Sequence, residues 1–220
     1  MIFTRRGQPS LARKPADQSV NKEDILLAAA DVLQRNGYES TTMKDIAAEV
    51  NLTAASLYHH FRNKDALLLA VLEAGIDHIL GQIEPIAASN YPADHKLRLM
   101  IHAHVTGLTD NTAVGAAMVF EIKSLVSVKT APDDGRDPEV AERRRAFIAR
   151  RDQFERLFRA VIQEGIERGL FCPVDVPIFV KTLLGAQNWV GVWYRPDGRL
   201  NGDEIADRMA DTFLRALQPA

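Results

Sequence analysis

The chain has 220 residues, 46% hydrophobic and 25% charged, an ordinary globular composition with enough length to bury a substantial core. Its single cysteine, Cys172, excludes an intrachain disulfide and fits a reducing, cytoplasmic setting. A net charge of −2 argues against a chain-wide basic coat, the polar first twenty residues with two prolines are unlike a signal segment, and no uncharged apolar run approaches the ~18 residues of a membrane span.

Residues 1–21 read as a flexible basic arm. Over residues 1–22, Arg5, Arg6, Arg13, Lys14 and Lys22 stand against Asp17 alone, a local charge of +4. Such a segment is either a solvated tail or an arm that follows a DNA backbone. Beyond it, apolar residues recur at three- and four-residue spacing and strand alternation is absent, so the chain is expected to be all-α. A first helix is predicted from about Glu23 to Asn36, with Gly37 as a left-handed stop. Thr41 or Thr42 is expected to cap a second, short helix, Asn51 to make a tight turn, and Thr53 to cap a third helix through about His60. Asn63 caps a fourth, expected to run to about Glu84 before Pro85. Longer helices follow at roughly 94–108, 112–129, 137–168, 174–194 and 202–217, broken by the turns "KTAPDDGRDP" and "RPDGRLNGDE".

Two short helices about four residues apart have helix-turn-helix spacing, in which the second helix enters the major groove. The segment "LTAASLYHHFRNKDALL" would then supply a reading surface. Thr53 and Ser56 can bond bases or phosphates, and Ala54 or Ala55 can pack on thymine methyls. Tyr58, His59 and His60 reach toward the backbone, and Lys64 suits a phosphate. Leu57 and Phe61 are its inward side. Metal binding fits less well, because adjacent helical side chains diverge by about 100° and neither histidine has a ligand at i+4 within the helix.

The stretch from "ILLAAADVLQRNGYESTTMKDIAAEV" through "LTAASLYHHF" to "NKDALLLAVLE" closely resembles the DNA-binding domain of the TetR family of bacterial repressors. The resemblance implies Thr42, Thr53, Ser56, Tyr58, His60 and Lys64 as DNA contacts, with His59 beside them. Asn51 departs from the glycine common in the family's turn, a substitution that asparagine's backbone tolerates. The organisation expected is a helix-turn-helix domain over 22–68 and a C-terminal ligand-binding and dimerisation bundle over 69–220. It would bind palindromic operator DNA as a homodimer and be released by a hydrophobic small molecule; repression is a family expectation.

In the C-terminal half, "VPIFVKTLLGAQNWVGVWY" is apolar on nearly all sides and needs partners on both faces. With "DEIADRMADTFLRAL" it suggests a four-helix dimer interface through Phe179, Leu183, Ile205, Met209 and Phe213. Polar groups on otherwise apolar faces mark a candidate ligand pocket. They are His104 on the line of Leu97, Ile101 and Leu108, Glu121 beside Met118, and Arg151 between Phe147 and Phe154. Phe120, Trp189 and Trp193 could serve an aromatic or drug-like ligand. "EGIERGLF" and the last two helices look like TetR relatives that respond to acyl-CoA thioesters, and Arg143, Arg144, Arg145, Arg150 and Arg151 could meet CoA phosphates. No nucleotide fingerprint or sequence-adjacent nucleophile–base pair is present, so neither catalysis, a metal nor a cofactor is expected.

Overall fold

The computed structural model describes residues 21–113, 115 and 138–219. Most of the expected basic arm, most of the helix predicted at 112–129, and Met118, Phe120 and Glu121 with it, lie outside the described residues. Among the described residues there are eight helices and no strand. They are α1 (Lys22–Ser40), α2 (Met43–Glu49), α3 (Ala54–His60), α4 (Lys64–Ala87), α5 (Ala93–Asp110), α6 (Pro138–Glu167), α7 (Val176–Trp193) and α8 (Gly202–Ala216).

Most of the helix starts follow from one side chain each. Asn21 Oδ1 accepts from the Asp24 N–H at 2.8 Å, so this residue closes α1 rather than belonging to the arm. Thr42 and Asp45 form a reciprocal capping box on α2, Asn63 Oδ1 accepts from the Ala66 N–H, and Asn201 and Glu204 make a second box on α8. The Thr42 hydroxyl and N–H both donate to Asp45, which holds its carboxyl below the usual range. Stops are equally local. Gly169 at φ 70° ends α6, with its N–H on the Ile166 carbonyl and the Leu170 N–H on that of Gly165.

Two expectations change in detail. Gly37 does break α1, but at φ 72° and ψ 164°, extended rather than left-handed helical, and helical turns resume to Ser40. Helix α4 does not stop before Pro85 but carries it in its final turn.

Helix α4 ties the molecule together. It packs on α1 at one end and on α5 and α6 along the rest, while α5 also meets α7 and α8. One continuous apolar cluster runs from Ile25 and Leu57 through Leu72 and Ile83 to Phe158 and Val190. The expected boundary at 68/69 therefore falls inside a helix that runs through this one cluster. By length and composition α4 could cross a membrane, yet 61% of its most apolar window is buried inside the protein. Ion pairs from Arg143 to Glu73 and from Arg150 to Asp77 join α6 to α4, and the buried Lys96 meets Glu164 at 2.9 Å.

At Gly37, positive φ with extended ψ is a region essentially reserved for glycine. A Cβ there would meet nothing within 4 Å, so the backbone alone sets the penalty. Gly37→Ala is expected to lower unfolding free energy by ~1–3 kcal/mol. Denaturant titration of both proteins checks this, and an unchanged midpoint would refute it.

Candidate functional site

Helices α2 and α3 pack on one another. Leu57 and Phe61 point inward with Ile46 and Leu33, all buried. The turn between the helices depends on Asn51, at φ 57°. Its N–H donates to Ala48, and the Leu52 N–H donates to Ala47 at 2.8 Å. This is the double hydrogen-bonded helix stop normally built on glycine, and asparagine bears positive φ at low cost.

Turning Leu57 inward leaves the opposite side of α3 to solvent. Tyr58, His59, His60 and Ala55 are exposed, and Ala54 and Ser56 are half-buried. Thr53 Oγ1 accepts from the Ser56 N–H at 3.0 Å and shares a 2.8 Å bond with Ser56 Oγ, so the two hydroxyls form one polar corner at the helix start. Glu49, the acid at the end of α2, is paired with Arg35 at 2.7 Å. Repulsion of an anion from this face is reduced accordingly.

Lys64, expected at a phosphate, is engaged within the chain. Its ammonium donates to the carbonyls of Tyr38 and Thr41 at 2.7 and 2.9 Å, with Glu39 at 3.5 Å, and sits 4.1 Å from the centre of the Tyr38 ring. Three donors meeting three carbonyls pin the start of α4 to the last turn and C-cap of α1. Tyr38 Oη reinforces that junction through Asp65.

A cavity of about 1090 Å³ lies between α1 and the helices of the C-terminal half. Leu26 and Leu27 contribute from α1, and Val71, Ala74 and Ile79 from α4. His104, Gly107 and Leu108 line it from α5, Arg151, Phe154 and Glu155 from α6, and Lys181, Leu184 and Asn188 from α7. Lys181 and Glu155 face each other at 3.5 Å on the wall. His104 is 7% exposed, its Nδ1 lies 2.7 Å from Gln187 Oε1, and its ring meets the Phe154 ring edge-on at 4.9 Å. Burial pushes its pKa down from the ordinary 6.5 to about 4, only partly opposed by the Gln187 bond, so the imidazole is neutral at pH 7.

Three predicted pocket residues lie elsewhere. Phe147 is buried in the core one turn before Arg151, where the cavity wall begins. Trp189 and Trp193 stand on the outer face of α7, 58% and 47% exposed, together with Ile178 at 60%. Two predicted interface residues, Leu183 and Ile205, are instead buried in the chain's own core. An all-round apolar helix does not announce which face its partners take, and here positions 180, 183, 187 and 190 turn inward. Phe179 and Phe213, half-buried, meet edge-on at 5.9 Å, and Met209 is half-buried on α8. Of the five arginines assigned to CoA phosphates, Arg143 and Arg150 are engaged with α4 carboxylates, and Arg151 reaches the cavity. Sequence reasoning missed Lys181, Asn188 and Gln187. A polar side chain in an apolar helix was the available signal for Gln187, but it has meaning only once a face is assigned.

Residues 25–71 match the family model described as bacterial regulatory proteins, tetR family, and residues 139–217 match the tetracyclin repressor-like C-terminal domain. The chain is 26% identical over 210 residues to the HTH-type transcriptional repressor KstR2 of Rhodococcus jostii, covering 92% of this chain and 96% of that protein. It superposes on the TetR family transcriptional regulator PfmR from Thermus thermophilus with a TM-score of 0.74 at 31% identity, over 89% of this chain and 99% of the other. The structure of AibR in complex with isovaleryl coenzyme A and operator DNA is similar at a TM-score of 0.69 and 27% identity, over 90% and 97% of the two chains.

Replacing Lys64 by methionine removes the cation from three carbonyls, and the full-length chain is expected to lose ~1–3 kcal/mol of stability. Unchanged stability with a shallower salt dependence of DNA binding would instead restore the phosphate role. His104 should add a pH dependence of its own. Between about pH 6.5 and about 4 the unfolded chain binds a proton at this position that the folded chain refuses, so stability drops as pH falls through that window. The slope is ~1.4 kcal/mol per pH unit at most. Denaturation at pH 7, 5.5 and 4.5 should show this component missing in His104→Phe; parallel losses in both proteins would rule it out.

Proposed function

Because the chain belongs to the TetR family of bacterial regulatory proteins, we propose that it is a cytoplasmic, ligand-released transcriptional repressor that binds a palindromic operator as a homodimer. It acts by binding, not by catalysis. The observation that carries the reading is a helix-turn-helix whose recognition helix α3 is exposed along Ala55, Tyr58, His59 and His60, on a core shared with the cavity-bearing helices. Thr53, Ala54, Ser56, Tyr58, His59 and His60 approach DNA, with Thr42 at the start of α2, while Lys64 holds the domain's geometry.

A single motif of this size reads too few bases for a specific site. Two copies about 34–36 Å apart reach successive major-groove turns on one face of the duplex. The exposed apolar side chains of Ile178, Trp189 and Trp193 on α7 favour pairing of that face with its symmetry mate, with Phe179, Met209 and Phe213 at its margin.

The effector proposed is a hydrophobic acyl thioester of coenzyme A. The apolar walls suit an acyl chain, Arg151 and Lys181 offer cations to an anionic head, and AibR supplies the precedent of an acyl-CoA ligand on a similar fold. Because Leu26 and Leu27 of α1 line the same cavity, an occupant would touch the DNA-binding domain directly. A coupling of ~1–3 kcal/mol would weaken operator binding roughly 5- to 150-fold.

The test is binding of the purified protein to the intergenic DNA upstream of its own gene, across a salt series, with and without a panel of acyl-CoAs. Steep salt dependence and release by one thioester are expected. Retention of DNA by every member of the panel would remove the acyl-CoA assignment, and failure to hold any DNA at low salt would remove the repressor assignment. Trp189→Glu is expected to yield monomers in sedimentation velocity and at least about a tenfold loss of operator affinity; a dimeric Trp189→Glu protein would place the interface elsewhere.

A further inference from the structure

Inside the cavity's apolar wall one polar feature stands apart from the charged residues Arg151, Glu155 and Lys181. Gln187 is fully buried, and its side-chain Oε1 is spent on His104 Nδ1, while its Nε2 has no hydrogen-bond partner among the described residues. Its neighbours on α7 are Val180, Leu183, Leu184 and Val190, so nothing on its own helix relieves that amide. A buried amide N–H left unmatched is costly, and a pair of this kind persists where another requirement sustains it. His104 is the member that lines the cavity. Among the described residues no carboxylate pairs with it, and Phe154 closes one side of its ring.

We infer that His104, oriented by Gln187, recognises an uncharged oxygen carried on the apolar body of the ligand, a carbonyl or hydroxyl, and discriminates against a carboxylate at that position. The inference rests on the cavity being the effector site. Two arrangements of the pair are available. With Nδ1–H donating to the Gln187 carbonyl, Nε2 is a lone pair that accepts from a hydroxyl. With the amide turned over, its N–H donates to Nδ1, and Nε2–H becomes a donor to a carbonyl. Both leave the imidazole neutral. A carboxylate would have to be desolvated against that neutral ring or draw a proton onto a nitrogen that burial strips of one, and either route costs affinity. The interior would then read what oxygen the ligand's body carries, while Arg151 and Lys181 meet any anionic head. Gln187 is a positioning residue, since its amide does not reach the cavity surface.

Displacement of the neutral dye N-phenyl-1-naphthylamine from the full-length protein tests this with four compounds of similar size: butylbenzene, 1-phenyl-1-butanol, 1-phenyl-1-butanone and 4-phenylbutanoate. The alcohol is expected to displace the dye at about tenfold lower concentration than the hydrocarbon, the equivalent of one good hydrogen bond, the ketone to match it only where Nε2 carries the proton, and the carboxylate to be the weakest. His104→Leu and Gln187→Leu should each erase the alcohol's advantage. Nitrogen-15 NMR of the imidazole should show one tautomer in the parent protein and a mixture in Gln187→Leu at an unchanged melting temperature, a change that loss of packing alone would not produce. Equal displacement by alcohol and hydrocarbon, a preference for the carboxylate, or an alcohol preference surviving in both variants would overturn the inference and leave the cavity assignment standing. Absence of dye binding to the parent protein, with Gly107→Leu making no difference to acyl-CoA release, would overturn the cavity assignment and this inference with it.

Discussion

Helix α4 has to pack at both ends of one continuous core. Eleven of its side chains are buried, and they extend over most of its length, from Ala66 beside the helix-turn-helix to Ile83 against α5 and α6. A helix buried in that way cannot slide or turn at one end without disturbing its contacts at the other, because close-packed interiors change between discrete arrangements and do not deform smoothly. The ion pairs from Arg143 to Glu73 and from Arg150 to Asp77 are partly exposed and contribute little energy, yet they set which turn of α6 lies beside which turn of α4. Lys64 completes the linkage at the other end by clamping the first turn of α4 to the end of α1. Motion of the C-terminal bundle and motion of the recognition helix thereby become one problem.

The cavity sits where that linkage is most exposed to a ligand. Its walls draw on α1, α4, α5, α6 and α7, so an occupant would touch both ends of the coupled structure. Its charges and its buried polar pair are separated in kind. Lys181 and Glu155 are an accessible ion pair that solvent can screen, whereas His104 and Gln187 share a bond in an apolar interior where every unmatched group is expensive. The first can adapt to many anions. On the inference drawn above the second would be selective, because burial holds the imidazole neutral and favours an uncharged neighbour.

Much of this was legible in the chain before any coordinates. Thr53 and Asn63 cap the helices expected of them, and Thr42 takes the role that spacing leaves open between it and Thr41, because a cap is a bond to an amide two or three residues away. Asn51 was placed in a turn demanding positive φ for the same local reason. The line of Leu97, Ile101, His104 and Leu108 correctly marked an inward face, since periodicity reports which residues share a side of one helix. The break at Gly37 was foreseen in position but not in backbone geometry, which is set by how the chain must re-enter α2.

What could not be read lies in contacts across long stretches of chain. Whether Trp189 or Leu183 faces outward on an apolar helix depends on where α5 and α6 lie, and no residue of α7 records that. Lys64 looked like a free cation until the fold placed the carbonyls of Tyr38 and Thr41 beneath it, more than twenty residues away. The partner of His104 is 83 positions distant, on a helix whose polar residue had no assigned side. Helix positions, caps, the recognition motif and the family follow from bonds and spacings within a few residues. The faces of α7, the carbonyl contacts of Lys64 and the pairing of His104 with Gln187 follow from packing, which is a property of the whole chain.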